Sequence, residues 1–140
     1  IYGVKNLSYK IEKLAQDLDI KDLLKRRVGR LSAGQKTRVS IAKSLINDPK
    51  ILFLDEPTAS LDPDHADWIR TYLEHYKNNS GATFIIASHN MPEVERMCNN
   101  VIMMGRGKVI DQGTPSDLIK RYKRNNLEQV FLQLARNDRV

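Results

Sequence analysis

The first part of the chain carries apolar residues at the spacing of helices. They recur at i, i+3, i+4 and i+7, as Ile11, Leu14, Ala15 and Leu18. This spacing predicts an amphipathic helix over residues 8–20, followed by a shorter helical piece around residues 22–27. The next helix is predicted to begin at Ser32, because Gln35 follows three residues later in a capping-box pattern, and to run to about Asn47.

Two short runs, residues 51–54 and 83–87, are nearly continuously apolar rather than alternating. Such runs are typical of parallel strands that are buried on both faces. Between them, Asp62 followed by Pro63 predicts the start of a helix. Its expected buried stripe consists of Trp68, Ile69, Tyr72, Leu73 and Tyr76. Strand, helix and parallel strand together predict an α/β fold class.

The remainder of the chain predicts a hairpin among helices. A short helix is expected after Met91, and residues 101–104 and 108–110 flank a glycine-rich turn that predicts the hairpin. A further helix is expected from Thr114. The last helix carries apolar residues at helical spacing, namely Leu127, Val130, Phe131 and Leu134.

Composition narrows the class of protein. With 140 residues, 41% of them apolar and 29% charged, the chain is long enough for one domain and too apolar for a disordered tail. The single Cys98 excludes an internal disulfide and a cysteine-rich zinc site, and it favours a reduced, intracellular setting. No apolar run approaches the roughly 20 residues that span a bilayer.

The chain is basic, with 23 Lys and Arg against 17 Asp and Glu, a net charge of +6. Such a balance permits binding to nucleic acid or to an anionic membrane surface. The cations come in short clusters, residues 25–27 and 120–124, beside helical patterns. Clusters of this kind are more often a solvated face.

Polar side chains follow both predicted strands. Asp55 and Glu56 end the first strand, and Ser88 and His89 end the second. Ligands of open parallel sheets gather at this edge, so the set suits a metal-assisted transfer. The alternative is structural: a carboxylate that caps a turn and a histidine that is simply a satisfied polar residue.

Neighbouring strand residues point to opposite faces, so Asp55 and Glu56 can serve one ligand only if the chain bends. Pro57 makes such a bend expected. One carboxylate would then hold Mg²⁺, and the other would orient or deprotonate an attacking water.

The stretch from Ser32 to Gln35 has two interpretations, a helix start or an anion site. Lys36 and Arg38 lie near this helix end, and its first turn has no acid, which favours phosphate. Residues 29–37 nearly match the phosphate-loop pattern G-x-x-x-x-G-K-[ST], but one residue too many precedes the lysine, and nothing else in the chain completes the pattern.

Four segments occur in one order that resembles a known family. Residues 31–35, Leu-Ser-Ala-Gly-Gln, resemble the signature of ATP-binding-cassette ATPases, and residues 51–58 look like their Walker B strand and catalytic glutamate. Residues 60–62 look like the D-loop, and His89 looks like the switch histidine. The end, residues 127–132, is similar to ATPases that serve ABC-2-type exporters.

The resemblance implies the C-terminal part of such an ATPase domain, beginning inside it, because the family's Walker A and Q-loop are absent from these residues. The implied fold is part of a P-loop NTPase-like parallel sheet with flanking helices, preceded by part of a helical subdomain. The implied divisions are 1–48 for the helical subdomain, 49–125 for the ATPase core and 126–140 for a terminal amphipathic helix.

The resemblance also implies a mechanism with ATP and Mg²⁺. Asp55 would hold Mg²⁺, Glu56 would polarise the attacking water, His89 would contact the γ-phosphate and Asp62 would link two sites across a dimer. The signature residues that would contact ATP on a second subunit are Ser32, Ala33, Gly34 and Gln35.

The implied partners are a second nucleotide-binding domain and a transmembrane permease, at the cytoplasmic face of a membrane. The chain alone is expected to bind ATP poorly, and its open apolar sheet surface is expected to drive self-association. Two alternatives stay open: a soluble cassette ATPase that acts on nucleic acid or the ribosome, and a regulatory domain that does not hydrolyse ATP. An intact Glu56 and His89 argue against the second alternative.

Overall fold

The computed structural model describes Gly3 and residues 5–137. The chain divides into two compact units, and the boundary lies between Ala87 and Ser88. The first unit contains a parallel two-stranded sheet with helices, and the second contains an antiparallel hairpin with helices. The predicted α/β class is confirmed in the first unit, whereas the predicted divisions at 48/49 and 125/126 stay predictions.

The first unit begins with two helices separated by tight turns. Helix α1 spans Leu7–Asp17 and α2 spans Ala33–Leu45, with single 3₁₀ turns between them at Lys21–Leu23 and Val28–Arg30. Helix α1 ends three residues before the predicted limit. The helical piece expected at 22–27 is reduced to the first 3₁₀ turn, which buries Leu23.

The sequence signals for helix starts are confirmed. The hydroxyl of Ser32 accepts from the backbone N–H of Gln35 at 3.2 Å, and the Gln35 side-chain oxygen accepts from the backbone N–H of Ser32 at 3.0 Å. Helix α3 spans Pro63–Ser80, with Asp62 as its cap. These starts were predictable because capping residues satisfy helix N–H groups locally.

The sheet of the first unit pairs strand β1, Ile51–Asp55, with β2, Thr83–Ala87. The strands run parallel, with Ile51 opposite Thr83 and Asp55 opposite Ala87. Helix α3 connects them, and its Tyr76 ring stacks on Phe84 of β2 at a centroid distance of 6.3 Å. Within the predicted stripe of α3, Ile69 and Leu73 are fully buried and the three aromatic residues are half-buried.

The prediction that both sheet faces are buried is wrong for this chain. Leu52 and Leu54 on one face of β1 are buried, whereas Phe53 on the other face is 73% exposed. Ile85, which lies opposite Phe53 on β2, is 50% exposed. The helices of the first unit cover one face only, so the expected open apolar sheet surface is present.

The second unit begins with helix α4, Met91–Met97, and continues into the hairpin of β3, Val101–Gly105, and β4, Lys108–Gly113. Helices α5, Pro115–Arg121, and α6, Leu127–Asn137, complete it. The predicted hairpin is confirmed, with a bulge at Met103/Met104. Its core is formed by buried side chains of α4, β3, α5 and α6. They are Met91, Val94, Val101, Met103, Leu118, Leu127, Val130 and Leu134.

A polar cluster joins α5 and the residue after it to β4. Asp111 accepts hydrogen bonds from the Arg121 guanidinium and from the Tyr122 hydroxyl, the latter at 2.8 Å. These two donors hold the pKa of Asp111 below its usual range. The same contact with Asp111, and then burial, raises the pKa of Tyr122.

This cluster predicts acid sensitivity of the second unit. A carboxyl group with a lowered folded pKa stabilises the fold above its unfolded pKa of about 3.9, and this contribution is lost as the pH falls through the folded pKa. We expect the unfolding free energy to decrease as the pH is lowered past about 4. In Asp111→Asn this decrease with pH should be less steep. Urea unfolding at several pH values measures this. An unchanged slope in Asp111→Asn would contradict it, and Tyr122→Phe should be intermediate.

Candidate functional site

The carboxylates that end β1 lie on a bend. Asp55 is the exposed last residue of the strand, on the same face as Phe53. Glu56 has φ 46°, a left-handed conformation that is uncommon for residues other than glycine. The backbone N–H of Glu56 still donates to the carbonyl of Ala87 at 2.8 Å. The expected bend therefore begins at Glu56 itself, one residue before Pro57.

The N-terminus of α2 offers donors to an anion. In the capping box, the Ser32 oxygen accepts a hydrogen bond, so its own hydroxyl proton is available. Among residues 5–137, no group accepts from the backbone N–H groups of Ala33 and Gly34. Gln35 uses its side-chain oxygen within the box and keeps its side-chain N–H₂ for another acceptor.

The two cations near this helix end have different tasks. The Arg38 guanidinium donates to the carbonyl of Asp19 at 2.8 Å and to its carboxylate at 2.9 Å. It also reaches the carbonyl of Leu18, at 3.4 Å. Arg38 thus caps the end of α1. The expectation that it supports an anion site at the start of α2 is wrong. Lys36 is exposed and remains the cation at this end of the helix.

A surface cleft of about 410 Å³ lies between α2 and β1. Lys36, Asp55 and Glu56 line it, together with Phe53 and Pro57. The first unit therefore brings both predicted carboxylates to one cleft, beside the residue that follows Gln35. A positive and two negative side chains around a cleft can hold a metal ion together with an anion.

Asp62 has two contacts with one residue. Its carboxylate accepts from the backbone N–H of His65 at 3.2 Å and lies 2.7 Å from the Nδ1 atom of the same residue. The backbone N–H, and then the imidazole, hold the pKa of Asp62 below its usual range. His65 thus orients a predicted site residue.

His89 lies in the second unit, between β2 and α4, and is exposed. Its neighbours are fixed by hydrogen bonds. The Ser88 hydroxyl donates to the Glu93 carboxylate at 3.0 Å and accepts from the backbone N–H of Asn90 at 3.1 Å. Asn90 in turn caps α4 through the backbone N–H of Glu93.

The buried carboxylate of Glu93, only 2% exposed, was missed by the sequence reasoning. A signal was present, because Glu93 lies among Met91, Val94 and Met97 in a helix that buries this face. Acidic residues are rarely buried without polar partners. Its carboxylate accepts from the Ser88 hydroxyl, so Glu93 helps to fix the turn that carries His89.

The donor set around the cleft fits Mg²⁺ only in part. Within the described residues, no group of three or more His, Cys, Asp or Glu side chains could hold a metal ion. Mg²⁺ in nucleotide sites commonly takes one or two carboxylates and completes its shell with water and phosphate. Asp55 and Glu56 satisfy this requirement when a phosphate ligand is present.

The relatives of this chain are ABC transporter proteins. Residues 5–59 match the family model described as ABC transporter. The chain is 44% identical over 121 residues to ABC transporter G family member 20 of Dictyostelium discoideum, covering 86% of this chain and 16% of the relative. It is 34% identical to the ABC transporter ATP-binding protein NatA of Bacillus subtilis, covering 94% of this chain and 54% of the relative. The methionine import ATP-binding protein MetN of Streptococcus agalactiae is 36% identical, with 90% and 35% covered.

Solved structures agree with these relatives. An ATP-binding subunit of an ABC transporter superposes with a TM-score of 0.85 at 22% identity, over 96% of this chain and 57% of the other. An ATP-binding cassette in its ADP conformation superposes with a TM-score of 0.67 at 30% identity, over 84% and 46%. The predicted partial P-loop NTPase-like fold is thereby confirmed.

The chain belongs to the family of ABC transporter ATPase domains. It spans between 16% and 54% of the length of the three relatives named above. No helix within the described residues is both long and apolar enough to cross a membrane.

Proposed function

We propose that this chain is the part of an ATP-hydrolysing transporter subunit that carries the signature and the catalytic carboxylates. The observation that carries this proposal is the cleft where Asp55 and Glu56 meet Lys36 at the end of a parallel strand. Phosphoryl transfer depends mainly on charges positioned in advance, and this cleft positions three.

In this proposal, Asp55 binds Mg²⁺, and bound Mg²⁺ neutralises charge on the phosphates of ATP. Glu56 orients and polarises the water that attacks the γ-phosphate. Its left-handed backbone supports this role, because the bend lets two consecutive carboxylates face one cleft. By the family resemblance, His89 would contact the γ-phosphate, and the hydrogen bonds of Ser88 fix the turn that carries His89.

The N-terminus of α2 acts on ATP that a second nucleotide-binding domain holds. Its donors are the side chain of Ser32, the backbone N–H groups of Ala33 and Gly34, and the side chain of Gln35. Asp62 links the two sites across the dimer. The dimer drives a membrane permease at the cytoplasmic face of the membrane.

We assign the transporter to the ABC-2-type exporters. The support is the resemblance of residues 127–132 and the identity with a G family member. A methionine import protein also matches, at 36% identity, so the exporter assignment rests on these two observations rather than on the family.

The proposal predicts weak nucleotide binding by these 140 residues alone, because no part of their sequence completes a phosphate loop. We expect calorimetric titration with ATP and Mg²⁺ to show no saturation up to roughly 1 mM, the range of weak affinities. Tight, Mg²⁺-dependent binding of ATP by these residues would contradict this prediction. Asp55→Asn is the companion variant, which should abolish any Mg²⁺ dependence.

A second candidate function is nucleic-acid binding by a soluble cassette ATPase. The observation that favours it is the exposed stretch of residues 25–30, whose four cations form no ion pair among the described residues. Binding to RNA or DNA that weakens steeply with salt would support this candidate. If the chain binds no RNA or DNA even at low salt, this second candidate is rejected and the transporter proposal remains.

A further inference from the structure

Helix α2 is joined to the segment after β1 by two hydroxyl groups. The Thr37 and Ser60 side-chain oxygens are 2.6 Å apart, and the Thr37 oxygen is 3.2 Å from the carbonyl oxygen of Ala33. A carbonyl can only accept, so Thr37 donates to Ala33 and Ser60 donates to Thr37. Two consecutive hydrogen bonds therefore run from residue 60 to the backbone of the proposed anion site.

A close backbone contact joins the same two segments. A Cβ atom at Gly34 would lie 3.2 Å from the carbonyl oxygen of Ser60 and 3.2 Å from the Leu61 side chain. Because Gly34 has no side chain, α2 approaches residues 60 and 61 closely. The glycine thus has a packing role within its own chain besides the exposure of its N–H group to an anion.

We propose that Thr37 and Ser60 are positioning residues that hold the N-terminus of α2 and the segment leading to Asp62 as one rigid element. This inference rests on the proposed function, in which Ser32 and Asp62 act on the two sites of a dimer. Contact of a phosphate with α2 would then shift Asp62 as well, because the intervening segments cannot move separately.

Burial does not explain the two hydroxyls. Ser60 is exposed and Thr37 is half-buried, so water could satisfy either one. Threonine is also a poorer helix former than alanine. A threonine that served only the helix itself would not need the 2.6 Å contact between its side-chain oxygen and that of Ser60.

The test uses Thr37→Val, which keeps the shape and removes the hydroxyl, together with Ser60→Ala and the double variant. Each single change is expected to lower kcat for ATP in the full-length protein roughly 3- to 10-fold, the value of one hydrogen bond, with KM unchanged. The double variant should lose no more than either single one, because both remove the same contact. Thr37→Ser should retain wild-type kcat.

Ser80→Ala is the matched control, on α3 rather than on the helix that lines the cleft. Its hydroxyl donates to the carbonyl of Tyr76 at 2.7 Å, within α3 itself, and the change should leave kcat as in the wild type. Losses that multiply in the double variant would overturn the proposal, because the two side chains would then act independently. A KM effect without a kcat effect would also overturn it.

Hydrogen exchange of the full-length protein separates this inference from the proposed function. Thr37→Val should speed exchange at residues 57–62 as well as in its own helix, and unchanged exchange there would overturn the link. If the wild-type protein hydrolyses no ATP while the exchange result holds, the proposed function fails and the rigid element stands.

Discussion

Glu56→Gln is expected to lower ATP hydrolysis by the full-length protein about 100- to 10,000-fold, the usual contribution of a positioned general base. Glutamine has nearly the same shape, but its amide cannot accept a proton from the attacking water. The backbone bend and the hydrogen bond to Ala87 involve only main-chain atoms and should persist. ATP binding is therefore expected to remain.

Steady-state phosphate release measures the loss, and equilibrium binding of labelled ATP measures what is retained. Glu12→Gln is the matched control, since Glu12 is an exposed carboxylate on α1. Turnover that persists in Glu56→Gln would remove Glu56 from the mechanism. Loss of ATP binding together with turnover would mean that the residue holds nucleotide rather than water.

Leu127→Ala is expected to reduce the unfolding free energy of the second unit by about 2–5 kcal/mol, as for other fully buried leucines. The Leu127 side chain is fully buried in the core that also contains Met91 and Val94 of α4. Removing it leaves a cavity beneath the helix whose start follows His89. We therefore expect the loss of stability to extend to the start of α4, next to His89.

Leu132→Ala offers a matched comparison on the same helix. Leu132 is 44% exposed, so its truncation should change the unfolding free energy by no more than about 0.5 kcal/mol. Urea unfolding of the 140-residue chain, followed by circular dichroism, measures both variants. Equal effects of the two substitutions would contradict the core described for the second unit.

Local signals explain the part of the fold that was predictable. The capping box at Ser32, the cap and proline at residues 62–63, and the hairpin around Gly107 all act within a few residues of themselves. Such signals survive in any context because they satisfy backbone groups nearby. The ends of helices are less determined: α1 ends at Asp17, and the distant Arg38 binds the carbonyls that follow it.

The unpredicted features depend on contacts between distant residues. Thr37 and Ser60 are 23 positions apart, and nothing in either neighbourhood indicates their contact. The carboxylates at 55 and 56 were predictable from the strand end, whereas the left-handed conformation of Glu56 was not. The roles given to Asp55, His89 and the signature residues came from the family resemblance and stay proposals.

The sheet of the first unit has a consequence for how this chain behaves at high concentration. It contains two strands within the described residues, so each strand presents one edge of unpaired peptide groups. Phe53 and Ile85 place exposed apolar surface between those edges. Edges of this kind template the addition of further strands, and charge or covering helices normally prevent it. Correct strand pairing and aggregation therefore compete for the same hydrogen-bonding groups, and the relative rates of the two processes decide which one prevails.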